Sequence, residues 1–133
     1  MEREEFIKKY EAIVERTLIF QEKSRCEGLL SLIDLIDERK YSQRDIFEYG
    51  IILTTKSVNT KIINKILTNN IDLEVNEDVK ILKNVQKEAV IGIQKGYNKE
   101  LLILLLNSYV NIDVEKTMTM CKNIEPGFFM EYE

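Results

Sequence analysis

The sequence has no histidine, no tryptophan, one proline, five glycines and two cysteines in 133 residues. Histidine is the commonest general base near neutral pH and the commonest metal ligand, so its absence removes Ser–His and Cys–His nucleophile pairs. Two cysteines without histidine do not make a tetrahedral zinc site. Cys26 and Cys121 stand far apart, and neither belongs to a C-x-x-C pair. They are expected to be buried, reduced thiols, which fits a reducing compartment better than a disulfide framework. Neither glycine-rich phosphate signature, G-x-x-x-x-G-K or G-x-G-x-x-G, occurs.

Long apolar runs are also missing. The longest unbroken one, residues 101–106, has six residues, whereas crossing a bilayer takes about twenty. The opening Met1-Glu2-Arg3-Glu4-Glu5 is charged, with no apolar stretch behind it, unlike a secretory signal of the usual kind. A cytoplasmic chain with no direct membrane insertion is expected. A concentrated basic face is lacking too: net charge is −4, the pI is about 5.1 and Lys and Arg are interleaved with acids. Nucleic acid is therefore not an expected partner. Carboxylates are plentiful, 23 in all, but they read as structural. Glu74, Glu77 and Asp78 suit a helix start, and Glu11, Glu15 and Glu22 with Arg25 suit a solvated helix face. The expectation is a protein with no catalytic residues, no metal and no cofactor.

What remains points to helices. Apolar residues make up 44% and charged residues 32%, a mix that folds. Scarce Gly and Pro favour long helices over a turn-rich sheet protein. Phe6, Tyr10, Ile13, Thr17 and Phe20 recur at spacings of three and four, with Ile7, Val14 and Leu18 beside them, which predicts a first helix over 2–40. From 29 to 36 apolar residues wrap most of the circumference, so this part is expected to be buried on several sides. Ser42 with Asp45 predicts a second helix start, and the helix runs over 43–56. Ser57 is expected to cap a third helix, ended by Asn69-Asn70. Asn76 caps a fourth that Gly96 ends, and Asn98 caps a fifth containing residues 101–106. That run, apolar all round, is expected at the centre of the bundle. Asp113 is expected to cap a short sixth helix with Val114, Met118 and Cys121, stopped by Pro126-Gly127. The chain closes on Phe128, Phe129, Met130 and Tyr132. Two readings of this tail stand: docking back on the bundle, or an exposed peptide for a partner helix or groove.

The segment Ser24-Arg25-Cys26-Glu27-Gly28-Leu29-Leu30-Ser31-Leu32 resembles the cytoplasmic signature of flagellar stator subunits of the MotA family, Ala-Arg-x-Glu-Gly-Leu-Leu-x-Leu-Glu. Arg25, Glu27, Gly28, Leu29, Leu30 and Leu32 match. Ile46-Phe47-Glu48-Tyr49-Gly50-Ile51-Ile52-Leu53 is similar to that family's next helix. Residues 57–71 are similar to its D-P-E-x-V-R-x-I-L-E helix, with Val58, Ile62 and Ile66 in the apolar places. The resemblance covers about residues 23–71. It implies a cytoplasmic lobe that presses on a rotor ring, with the motif Arg and a later Glu touching charged rotor residues. Arg25 occupies the Arg place. The Glu place holds Ile33, with Asp34 next. The family's four membrane helices and channel prolines have no counterpart, so the resemblance implies a lobe without a proton path. The same E-G-L-L stretch also reads as packing alone, with Gly28 allowing a close helix crossing.

The residues thus predict an all-α, single-domain bundle of about six helices over 1–124, with an aromatic tail at 125–133. The expected function is a non-enzymatic protein–protein interaction module, an accessory flagellar motor protein binding a rotor or stator component. Its partner-binding residues are Arg25, Glu22, Glu27 and Asp34, with Phe128, Phe129 and Tyr132 of the tail. The alternative is a small helical regulatory or scaffold protein unrelated to motility, acting by homo-oligomerisation or partner binding. The Ile-, Lys- and Asn-rich usage points to a low-GC bacterial source.

Overall fold

The computed structural model describes residues 1–37 and 45–112. Helix α1 spans Arg3–Glu27, followed by a 3-10 helix at Leu29–Leu35. Then come α2 (Ile46–Thr55), α3 (Thr60–Asp72), α4 (Glu77–Lys95) and α5 (Lys99–Asn107). No strand occurs among the described residues, and the architecture is that of a single all-α domain. The expected sixth helix and the aromatic tail lie outside the described residues.

Of the stripes expected on α1 it buries Phe6, Tyr10, Ile13, Val14, Thr17, Leu18 and Phe20, while Ile7 is half-buried. The helix does not continue to residue 40. Gly28 stops it at φ 89°, ψ 162°, a backbone region essentially reserved for glycine. No atom lies within 4 Å of where a Gly28 Cβ would sit, so this glycine serves a bend and not a close crossing. Beyond it the chain tightens to three residues per turn, which stacks residues i and i+3. Leu29, Leu32 and Leu35 therefore share a row towards the core, with Leu32 fully buried. The next row also faces the core through Ile33 and Ile36, so the segment is buried on two sides, between α1 and α2, and of its apolar residues Leu30 alone, 68% exposed, looks outward.

Caps decide most other boundaries. Asp45 accepts the Glu48 backbone N–H at 3.1 Å and starts α2; the expected start at Ser42 lies outside the described residues. Asn59, not Ser57, caps α3 by accepting from the Ile62 N–H at 2.9 Å. Ser57 has φ 63° and belongs to the turn before it. Asn69-Asn70 does not end α3, which runs on to Asp72 and buries Ile71 along with Leu67 and Ile63. Asn76 and Asn98 cap α4 and α5 through the Val79 and Leu101 N–H groups, at 3.1 and 2.8 Å. Gly96, left-handed at φ 76°, closes α4 as its own N–H bonds Ile93 O and the Tyr97 N–H bonds Gly92 O.

The central helix is α4, which packs against α1, α2, α3 and α5. Its neighbours come close at two glycines. A Cβ on Gly92 would run into Leu102 of α5, and one on Gly50 of α2 would lie 2.8 Å from Val90. The expectation that 101–106 forms the centre is wrong. Helix α5 turns Leu102, Ile103 and Leu106 inward but leaves Leu101 and Leu104 40% and 52% exposed. An apolar run alone does not say how many neighbours a helix has; α5 has principally α1 and α4. Against the core, Phe20 meets Phe47 edge-on at 4.9 Å, and the Arg16 guanidinium lies 4.4 Å from the Phe47 ring centroid.

Candidate functional site

The bend at Gly28 builds the most chemically dense corner of the described surface. The last turns of α1 supply Glu22, Lys23, Arg25, Cys26 and Glu27, and the 3-10 helix supplies Asp34. Residues 22 and 25, and 23 and 27, are one turn apart on a helix and so face each other. Arg25 accordingly donates from Nε to Glu22 at 3.1 Å, and its Nη2 bonds the other carboxylate oxygen. Lys23 donates to Glu27 at 2.9 Å. Its ammonium is also 4.0 Å from Asp34, so one lysine spans the bend and ties α1 to the 3-10 helix.

The Lys23 side chain is only 11% exposed, whereas Arg25, Glu27 and Asp34 are 63%, 44% and 71% exposed. The cation that pairs with Glu27 and Asp34 is thus tucked beneath them. The Arg25 hydrogen bond holds the Glu22 carboxyl below its usual range, against a smaller opposing push from burial. The Cys26 thiol and the charges of Arg25 and Lys99 act in the same direction as the hydrogen bond. Cys26 itself is exposed, contrary to the expectation of a buried thiol. Its place on the polar edge follows from α1 turning its apolar face the other way. Cys121 lies outside the described residues.

The four expected contact residues Glu22, Arg25, Glu27 and Asp34 lie near this end of α1 in two separate ion-paired groups, Glu22 with Arg25, and Glu27 with Asp34 through Lys23, about 150° apart around the helix at 100° per residue. Asp34, twelve positions from Glu22, reaches this end of α1 because the chain bends at Gly28. The other three, Phe128, Phe129 and Tyr132, lie outside the described residues. Sequence reasoning missed Lys23. The signal was its four-residue spacing to Glu27.

A groove of about 570 Å³ runs between α1 and α4, with Ala12, Ile13, Val79 and Leu82 among its walls and Arg16 and Lys83 at its rim. Those cations face acids: Arg16 lies 3.5 Å from Asp45 and Glu48, and Lys83 lies 3.0 Å from Glu74. The Lys83 hydrogen bond, and then the Asn76 and Val75 backbone N–H groups, hold the Glu74 carboxyl low. Among the described residues no group of three acidic or cysteine side chains is placed to hold a metal ion. No described helix is long and apolar enough to cross a membrane.

No protein-family model, no curated protein and no solved structure matches the chain.

Proposed function

We propose that this bundle is a non-enzymatic protein-binding module whose contact surface is the charged corner at the α1 bend. The observation that carries the reading is the exposed Arg25, ion-paired with Glu22 beside the Gly28 bend, with exposed Glu27 and Asp34 in a second ion-paired group at the same end of α1. Exposed ion pairs contribute little to stability, about 0–1 kcal/mol each. A partner with complementary charges can exchange them at small cost, and charge complementarity then sets orientation and encounter rate. The corner falls within the segment that resembles the MotA-type stator signature, with Arg25 in the Arg place. The partner proposed is accordingly a charged surface of a flagellar rotor or stator component, with this chain as an accessory motor protein.

The test is crosslinked capture from source cells, run in parallel with natural protein and Arg25→Glu. Enrichment of a rotor or stator protein that Arg25→Glu abolishes, with far-ultraviolet circular dichroism unchanged, supports the reading. Equal recovery by both proteins removes the corner as the contact surface.

A second reading, a helical scaffold unrelated to motility that self-associates, draws on the outward leucines of α5 and on Leu73 and Val75, 83% and 91% exposed at the α3–α4 connection. Concentration-dependent sedimentation separates it from the first.

A further inference from the structure

The turn between α3 and α4 takes residues 73–76, and two of these, Leu73 and Val75, are the most exposed large apolar side chains among the described residues. One exposed leucine is ordinary. Two on a short loop that is held in shape form a knob. Glu74, between them, fixes the loop. Its Oε2 accepts the Val75 and Asn76 backbone N–H groups at 3.1 and 3.2 Å, and its Oε1 lies 3.0 Å from the Lys83 ammonium of α4. The Leu73 and Glu74 N–H groups bond back to the Asn70 and Ile71 carbonyls. A knob already held in one shape loses little conformational freedom when it is buried against another surface.

The knob stands at a definite place. The Met1 nitrogen lies 3.5 Å from Asp78 at the start of α4, and Gln21 donates to the Tyr97 carbonyl just past its end. Helices α1 and α4 therefore run parallel, and the 73–76 loop lies at the opposite end of α1 from the charged corner. Beside the loop opens the groove of about 570 Å³ between α1 and α4. Lys83 belongs to both, since it holds Glu74 of the loop and lines the groove.

Loop and groove match in chemistry. Residues 72–79 hold four acids, Asp72, Glu74, Glu77 and Asp78, and no base. The groove has apolar walls in Ala12, Ile13, Val79 and Leu82, and its described charged lining is Lys9, Arg16 and Lys83 against Asp45. Its volume lies in the range, about 300–1,000 Å³, that encloses a compact apolar group. Lys9 pairs with Glu5 at 3.3 Å in an exposed contact, which an incoming acid displaces at small cost. We propose that two copies of this chain join about a two-fold axis, each seating Leu73 and Val75 in the α1–α4 groove of the other, with Asp72 and Glu77 meeting Lys9 across the interface. A second copy is the occupant because the groove that suits the loop lies next to it on the same chain. A two-fold axis between loop and groove makes both contacts at once, and each insertion holds the other in register.

The dimer rests on the self-associating reading and names its surface. It leaves the charged corner, at the far end of α1, open to a partner of another kind. Two small insertions make a small interface, so the dimer belongs at the weak end of the scale, with Kd about 1–100 µM.

Sedimentation equilibrium of the full chain from about 1 µM to about 1 mM is expected to show monomer passing to dimer. Two variants change exposed positions, Leu73→Ser with Val75→Ser in the loop and Ala12→Glu in the groove. Each is expected to weaken the dimer by about tenfold or more with circular dichroism unchanged. Neither variant alone keeps a working contact. An equal mixture keeps one of the two, the loop of the Ala12→Glu chain in the groove of the serine variant, and is expected to dimerise more strongly than either alone. Dimerisation that Ala12→Glu leaves intact overturns the groove in favour of loop against loop. Dimerisation that both variants keep and Leu104→Ser loses overturns this interface in favour of α5, and leaves the self-associating reading in place. A chain that stays monomeric over the whole range overturns both. Arg25→Glu is expected to leave the dimer unchanged; a loss there moves the contact to the corner and overturns the assignment.

Discussion

Tyr10 of α1 donates its phenolic proton to Oδ1 of Asn107 of α5, across ninety-seven positions of sequence, and both residues are buried. This bond and the Gln21–Tyr97 contact tie α5 to α1 at its two ends. Removing one partner of a buried hydrogen bond costs about 1–3 kcal/mol, more than the net value of the bond, because the remaining group loses water without replacement. Tyr10→Phe keeps the ring and its packing. It is expected to lower unfolding stability by about 1–2 kcal/mol in urea titration with an unchanged slope. An unchanged midpoint would contradict the role assigned to the pair.

The same tyrosine predicts alkaline sensitivity. Burial pushes the Tyr10 phenol well above its ordinary value of 10.0. Burial, and then the hydrogen bond and charge of Glu88, push Tyr109 up to about 12. A raised folded-state value means the folded chain holds the proton where the unfolded chain has released it. The stabilising contribution is complete below pH 10 and is lost as pH rises, from 10 to about 12 for Tyr109 and on upward for Tyr10. Unfolding midpoints measured from pH 9 to 12 are expected to fall less steeply in Tyr10→Phe than in the natural chain.

Gly28 and Gly50 should respond to alanine for different reasons. At Gly28 there is open space but φ is 89°, so Gly28→Ala is a backbone strain costing about 1–3 kcal/mol. It is also expected to disturb the corner, seen as loss of Lys23–Asp34 proximity by crosslinking. At Gly50 the backbone is helical, and alanine gains about 0.5–1 kcal/mol in helix preference. The new Cβ, however, meets both Val90 methyls at 2.8 and 2.9 Å. A β-branched side chain cannot turn both methyls away. Overpacking of about 1–3 kcal/mol then outweighs the helix gain. The double variant Gly50→Ala with Val90→Ala is expected to show a coupling of opposite sign, which a double-mutant cycle reads directly.

What could be read from the residues followed from locality. Asn76, Asn98 and Gly96 were legible because a cap or a left-handed close involves only the next turn of chain. Asp45 was legible as a helix-start residue, though as first-turn acid and not as the cap. Ser57 misled because serine caps helices and also occupies turns, and only the chain two residues later shows that Asn59 takes the cap. The break at Gly28 hid inside an apolar period that continued past it, since a change from 3.6 to 3.0 residues per turn leaves a short run looking alike. The misplacement of 101–106 was of another kind. How many neighbours a helix has is a tertiary property, and the all-round apolarity of α5 fits a helix with few described neighbours. The corner was half legible: helical spacing pairs Glu22 with Arg25, but Asp34 arrives only through the bend.

Arg25 and Glu22 form an exposed pair, and Arg25→Glu sets like charges one turn apart on α1. Such surface changes alter stability by about 1 kcal/mol or less, and salt screens the effect. Glu22 adds a pH signature. Its folded-state carboxyl is held low by Arg25, so its contribution is present above the ordinary carboxylate value of 4.5 and is lost as pH falls below it. Removing the arginine removes the cause. Arg25→Glu is therefore expected to melt within a few degrees of the natural chain at pH 7, with a weaker stability loss on going from pH 6 to pH 3. A large drop in melting temperature at pH 7 would mean that Arg25 holds up the bend as well as facing outward. Partner binding would then have to be probed by Asp34→Asn, whose side chain is the most exposed of the corner.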